Sequence, residues 1–91
     1  MWSVGENGLI AHWDGTVWTA VPSGTTQMLW NVWGSAANDV WAVGNAGTVL
    51  HWDGTVWAPV TVSTTKDLHG IWGSGPNDIW AVGDQTILHL P

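Results

Sequence analysis

The chain has no cysteine, no arginine, no phenylalanine and no tyrosine, and its one lysine, Lys66, stands against seven acidic residues. Without cysteine there is neither a disulfide framework nor a thiolate metal site. A net charge of −6 removes the basic footprint that gripping a phosphate backbone requires, so no nucleic-acid partner is expected. Apolar runs are broken by Gly, Asp or His well short of the roughly 20 residues that span a bilayer, so no membrane partner is expected either. No basic segment leads into an apolar one at the start, so no signal peptide is read and the compartment stays open. Charged residues make up 9% of the chain, where an ordinary domain has roughly 25%.

What fills the space is tryptophan. Ten Trp and a hydrophobic content of 45% give these 91 residues ample apolar surface to bury, which excludes disorder as the reason for the low charge. The Trp are ordered by an internal repeat. Trp2-Ser3-Val4-Gly5 returns as Trp41-Ala42-Val43-Gly44 and as Trp80-Ala81-Val82-Gly83, 39 residues apart each time. His12-Trp13-Asp14-Gly15-Thr16-Val17-Trp18 returns unchanged, also 39 residues on, as His51-Trp52-Asp53-Gly54-Thr55-Val56-Trp57. Val32-Trp33-Gly34-Ser35 pairs in the same way with Ile71-Trp72-Gly73-Ser74, and Asn38-Asp39 with Asn77-Asp78. A fixed period of this size indicates a repeat architecture.

The apolar segments are short, rich in Trp and Val, and punctuated by Gly, Asn, Asp and Thr, so the repeat is built of strands. In the complete unit they are expected at Leu29 to Trp33, Val40 to Gly44, Thr48 to Trp52 and Val56 to Thr61, named A to D. Asp53-Gly54 reads as a two-residue hairpin turn with both residues at positive φ. Gly44 to Gly47 and Gly34 to Asp39, the latter as an Asx-type turn, make the other two links. Val40-Trp41-Ala42-Val43 has no polar residue and is expected to be buried on both faces. Pro59 places strand D at an edge. Antiparallel meanders that bury both faces need like neighbours, and radial repetition of such units is a β-propeller. The expected fold is therefore all-β, with a partial blade at residues 2–28 (B, C, D), a complete blade at 29–61 and a partial blade at 68–91 (A, B, C).

The string Leu-x-x-Val-Trp-Gly-Ser, then Asn-Asp-Val-Trp-Ala-Val-Gly, then Gly-Thr-Val-Leu-His-Trp-Asp-Gly-x-x-Trp resembles the blades of bacterial Asp-box, neuraminidase-type propellers. It is similar above all to those related to the photosystem II assembly factor and to Trp-rich bacterial surface repeats. The resemblance covers essentially the whole chain. It implies that Asp14 and Asp53 are box aspartates joining the third and fourth strands, with Trp18 and Trp57 as closing aromatics. His12 and His51 stand where the family has its first Ser, and the sialidase activity of some members is not carried over. Propellers host unrelated functions, so the resemblance speaks to fold.

A closed propeller needs at least about four blades, more than one chain supplies. Ring closure by homo-oligomerisation is expected, most simply six blades from a trimer; other stoichiometries and a longer repeat array are the alternatives.

His12, His51 and His89 fall at nearly equal spacing in strand C, where each is expected to pack beside a Trp and bond a backbone carbonyl of the next blade; no metal site and no cofactor are expected. Asp14, Asp39, Asp53 and Asp78 read as turn residues accepting backbone N–H bonds. No carboxylate pair and no nucleophile elbow emerges, so the chain is read as non-catalytic. Trp2, Trp33, Trp41, Trp72 and Trp80 are expected to pack between blades, whereas Trp13, Trp18, Trp52 and Trp57 flank the Asp-Gly turns, where ring faces can stay accessible. Trp30 has His69 as its counterpart, so that position is not fixed by the repeat. Trp faces beside Asp and backbone donors suit sugar rings. The candidate ligand residues are thus Trp13, Asp14, Trp18, Trp30, Trp52, Asp53, Trp57 and His69. Two functions are compatible with this pattern: a multivalent, lectin-like carbohydrate-binding propeller, or a structural or protein-interaction scaffold without a small ligand.

Overall fold

A computed structural model describes residues 1–62, 64–75 and 78–90. Asn77 and Pro91, which the sequence reading places in a turn and at the end of a blade, lie outside the described residues. Among the described residues ten strands follow one another: β1 (Trp2–Val4), β2 (Ile10–Trp13), β3 (Trp18–Ala20), β4 (Leu29–Ala36), β5 (Asp39–Gly44), β6 (Val49–Trp52), β7 (Trp57–Pro59), β8 (Leu68–Gly75), β9 (Asp78–Gly83) and β10 (Thr86–Leu90). They form three antiparallel sheets in the orders β1-β2-β3, β4-β5-β6-β7 and β8-β9-β10. The registers repeat as the sequence does: Trp2 lies opposite His12, Trp41 opposite His51 and Trp80 opposite His89.

The middle sheet is packed on both faces. In β5 the period of two sends Val40 and Ala42 into a core shared with the first sheet, where they meet Ile10, Leu29, Leu50 and Trp57. The alternate residues Trp41 and Val43 enter a second core with Val49, Leu68, Ile71, Ile79, Ala81 and Leu90 from the third sheet. Every residue from Val40 to Gly44 is buried, as an unbroken apolar strand requires. Side chains such as Ile10, Leu50 and Ile79 are at most 2% exposed, and each contributes on the order of 1.5–3 kcal/mol by burial. β7 lies at one edge of the middle sheet, where Pro59, which has no N–H to donate, is tolerated.

Several local expectations are corrected. β4 extends to Ala36 with bulges between Leu29 and Asn31 and between Gly34 and Ala36, so its link to β5 is the two residues Ala37 and Asn38. β7 covers only Trp57–Pro59. The Asp-Gly link is a four-residue loop from Asp53 to Val56, not a two-residue turn. Only its glycine has positive φ, 103° at Gly54 and 102° at Gly15. The aspartate side chain replaces the backbone turn: Asp53 Oδ1 accepts the N–H groups of Thr55 at 2.8 Å and Val56 at 3.1 Å. In the link from β5 to β6, Ala46 takes the left-handed conformation at φ 58°, and its repeat equivalents Asn7 and Gln85 do the same at 58° and 52°.

Candidate functional site

Trp52 and Trp57 face each other across the Asp53 loop, with ring centroids 5.8 Å apart, because Trp52 ends β6 directly opposite the first residue of β7. Trp2 of the first sheet closes over both, 5.2 Å from Trp52 and 5.3 Å from Trp57, edge-on to the latter. Trp57 is thereby 7% exposed, which corrects the expectation of an accessible ring there. Its indole N–H has no hydrogen-bond partner among the described residues. A buried donor left unpaired costs about 1–3 kcal/mol. Beside this aromatic group lies a cavity of about 260 Å³, walled by Val21, Pro22 and Gly24 from the segment after β3 and by Trp52, Thr55, Val56 and Trp57.

The copy of this loop in the first sheet is built alike. Asp14 Oδ1 accepts the N–H groups of Thr16 at 2.8 Å and Val17 at 3.0 Å, and Trp13 and Trp18 lie 5.6 Å apart. Among the described residues no sheet covers it, and Trp18 is 48% exposed. Hydrogen bonds from the Val17 and Thr16 backbone hold the Asp14 carboxyl below the usual aspartate range, and those from Val56 and Thr55 do the same for Asp53. Both aspartates thus accept backbone N–H bonds, as read from the sequence.

Asp39 and Asp78 depart from that reading, because side chains bind them. Ser35 Oγ donates to Asp39 Oδ2, Trp41 Nε1 donates to Oδ1 at 3.2 Å, and His51 Nε2 lies 2.7 Å from Oδ1. Ser74 and Trp80 donate to Asp78 at 2.6 and 3.0 Å, with His89 Nε2 3.5 Å away. Burial opposes ionisation of Asp39, but the bonds from Ser35, His51 and Trp41 outweigh it and hold its carboxyl below the usual range. The histidines pack against tryptophan, at 4.3 Å for His51 on Trp41, but His51 bonds a carboxylate of its own sheet and not a backbone carbonyl of a neighbour. The carboxylate lies between serine and histidine, whereas nucleophilic catalysis needs serine on the imidazole. The group clamps β4, β5 and β6 together.

Trp30 and His69, the variable pair, stack on each other with centroids 5.2 Å apart and planes 13° from parallel. Trp30 Nε1 donates to Asn45 Oδ1 at 2.6 Å, and His69 Nε2 sits 3.6 Å from Asp84 Oδ1. Asn45 and Asp84 are themselves repeat equivalents, so two positions vary in concert, a signal the sequence contains and composition does not reveal. Asp67, His69 and Asp84 each offer one ligand-type atom, all within 4.8 Å of one another.

The eight candidate residues therefore separate into three places. Trp52, Asp53 and Trp57 border the cavity or its loop, Trp13, Asp14 and Trp18 form an uncovered copy of it, and Trp30 stacks with His69 elsewhere. The cavity walls Val21, Pro22 and Gly24 carry no motif and were not legible as site residues. Trp72, expected to pack, is 56% exposed. Compared with known proteins, the chain matches no family model, no curated protein and no solved structure.

Proposed function

We propose that the chain is a non-catalytic binding protein of Asp-box-like propeller blades, with its ring closed by self-association, that takes carbohydrate in the cavity beside Trp52 and Trp57. The observation that carries this reading is one small cavity walled by Trp52 and Trp57, the latter with a buried indole N–H that has no partner among the described residues. A sugar ring offers C–H faces to the aromatic wall and hydroxyl oxygens as acceptors for a donor such as Trp57 Nε1. At about 260 Å³ the space suits one ring, being smaller than the roughly 300–1,000 Å³ of drug-sized sites. Weak single sites gain avidity when several copies are held together.

Glycan-array screening followed by titration against intrinsic tryptophan fluorescence tests the reading. A binding sugar shifts the emission of the folded chain, and Trp57→Phe, which keeps a ring and removes the N–H, weakens it at least tenfold. Absence of any fluorescence change with all sugars at millimolar concentration would falsify carbohydrate binding. The scaffold alternative draws on the exposed Trp72 and Ile87, and recovery of one stoichiometric protein partner together with a blank glycan screen would support it.

A further inference from the structure

The two outer sheets present opposite halves of a contact that the molecule already makes inside itself. Its inserting half is a tryptophan braced by the histidine across from it: Trp2 on His12 at 4.5 Å, Trp41 on His51 at 4.3 Å and Trp80 on His89 at 4.5 Å. The receiving half is the tryptophan pair flanking an Asp-Gly loop, Trp13 with Trp18 and Trp52 with Trp57, at 5.6 and 5.8 Å. Trp2 on Trp52 and Trp57 is the mated form. Among the described residues no sheet packs on the outward face that carries Trp80, and none packs on the Trp13–Trp18 pair of the first sheet.

Burial at repeat-equivalent positions marks the same two faces. Val49 is 2% exposed in the second core, whereas its counterpart Ile87 is 69% exposed on the outward face of the third sheet. Trp33 packs against the second core, and its counterpart Trp72 is 56% exposed. Trp57 and Trp18 differ as 7% and 48% on the receiving side. Apolar surface of this kind, at both ends of one molecule and matched in type, favours association with a like sheet.

We propose that copies of this chain associate head to tail, with Trp80 of one copy seated on the Trp13–Trp18 pair of the next. This rests on the self-association in the functional reading above and assigns it a partner surface. The contact is heterologous, since the inserting and receiving faces lie on different sheets, so it generates rings or, where the rotation does not close, open assemblies. The carbohydrate cavity lies between two sheets of one chain and does not depend on it.

Two measurements test the assignment. By light scattering, the wild-type chain has a mass at least twice the 9.8 kDa of a single copy. Trp18→Glu, altering a half-exposed side chain, keeps the far-ultraviolet spectrum and drops to the single-copy mass. Because the protein has no cysteine, Val17→Cys and Ile87→Cys chains, each altering an exposed neighbour of the contact and keeping both tryptophans, carry one thiol each. A short bis-maleimide joins them when the two are mixed and leaves each alone unjoined. A single-copy mass for the wild type, an unchanged mass for Trp18→Glu, or cross-linking of either cysteine variant with itself in preference to the mixture overturns the proposal. Sugar titration of the single-copy Trp18→Glu chain then reports on the cavity independently, so the two readings fail separately.

Discussion

Residues 12–18 and 51–57 are the same seven residues, and they fold into the same loop with the same two backbone N–H bonds to aspartate, yet they occupy different environments. The closing tryptophan of one is 48% exposed and that of the other is 7% exposed. Local sequence sets the loop, because the Asx-type bonds and the glycine at positive φ need nothing beyond the segment itself. A neighbouring sheet sets the burial, because only the middle copy has Trp2 lying over it. Identity of sequence therefore fixes conformation here and leaves energetics to context.

The largest break in that comparison is truncation of the two tryptophans. Trp57→Ala removes a buried ring from the first core, and losses of this kind cost about 3–5 kcal/mol. Trp18→Ala, removing the same side chain from the same loop, costs less than about 1 kcal/mol in samples dilute enough to hold single chains. Urea unfolding of both variants measures the difference, and equal losses would show that the loop and not the neighbouring sheet determines what the tryptophan contributes.

Glycines at equivalent positions sharpen the same contrast by a different route. A Cβ on Gly44 would stand 2.1 Å from the Met28 carbonyl oxygen and 2.9 Å from Leu29 Cα, whereas one on Gly5 meets only Leu9 Cδ2 at 4.0 Å. The difference arises because β5 is paired with β4 as well as β6, while β1 is paired with β2 alone. Gly44→Ala must displace backbone and is expected to cost about 3 kcal/mol, the upper range for overpacking, while Gly5→Ala is near neutral. Thermal unfolding of the pair checks this; a harmless Gly44→Ala would mean that β4 shifts freely at its start.

Strand number, order and the 39-residue period were readable from the sequence because each strand carries its own apolar run and each link its own turn residues. Pro59 named its edge and Val40 to Val43 their double burial for the same local reason. The fates of the individual tryptophans were not readable. Trp72 and Trp33 sit in nearly identical segments, and Trp57 and Trp18 in identical ones, so nothing local separates the buried from the exposed member. The Asp39 clamp was missed because its donors, Ser35, Trp41 and His51, come from three strands and meet only once β4, β5 and β6 pair. The cavity was half legible: its aromatic wall lies in the repeated motif, and its other wall, Val21 to Gly24, lies in a segment with no pattern of its own.

The smallest effect tests how far the repeat governs backbone alone. Asn7, Ala46 and Gln85 share the left-handed conformation at one position of the period, within 6° in φ, whatever the side chain. Left-handed backbone costs an ordinary L-residue roughly 1–2 kcal/mol, and asparagine tolerates it best of these three. Ala46→Asn is therefore expected to stabilise the middle sheet by about 0.5–1 kcal/mol, and Asn7→Ala to destabilise the first by a similar amount. At this chain length such a change moves the melting temperature by about 4–8 °C per kcal/mol. Opposite shifts at the two positions would place the strain in the turn itself, since Ala46 lies in the doubly packed sheet and Asn7 in the outer one. A shift at Ala46 alone would instead show that packing by neighbouring sheets is what holds the turn in its left-handed form.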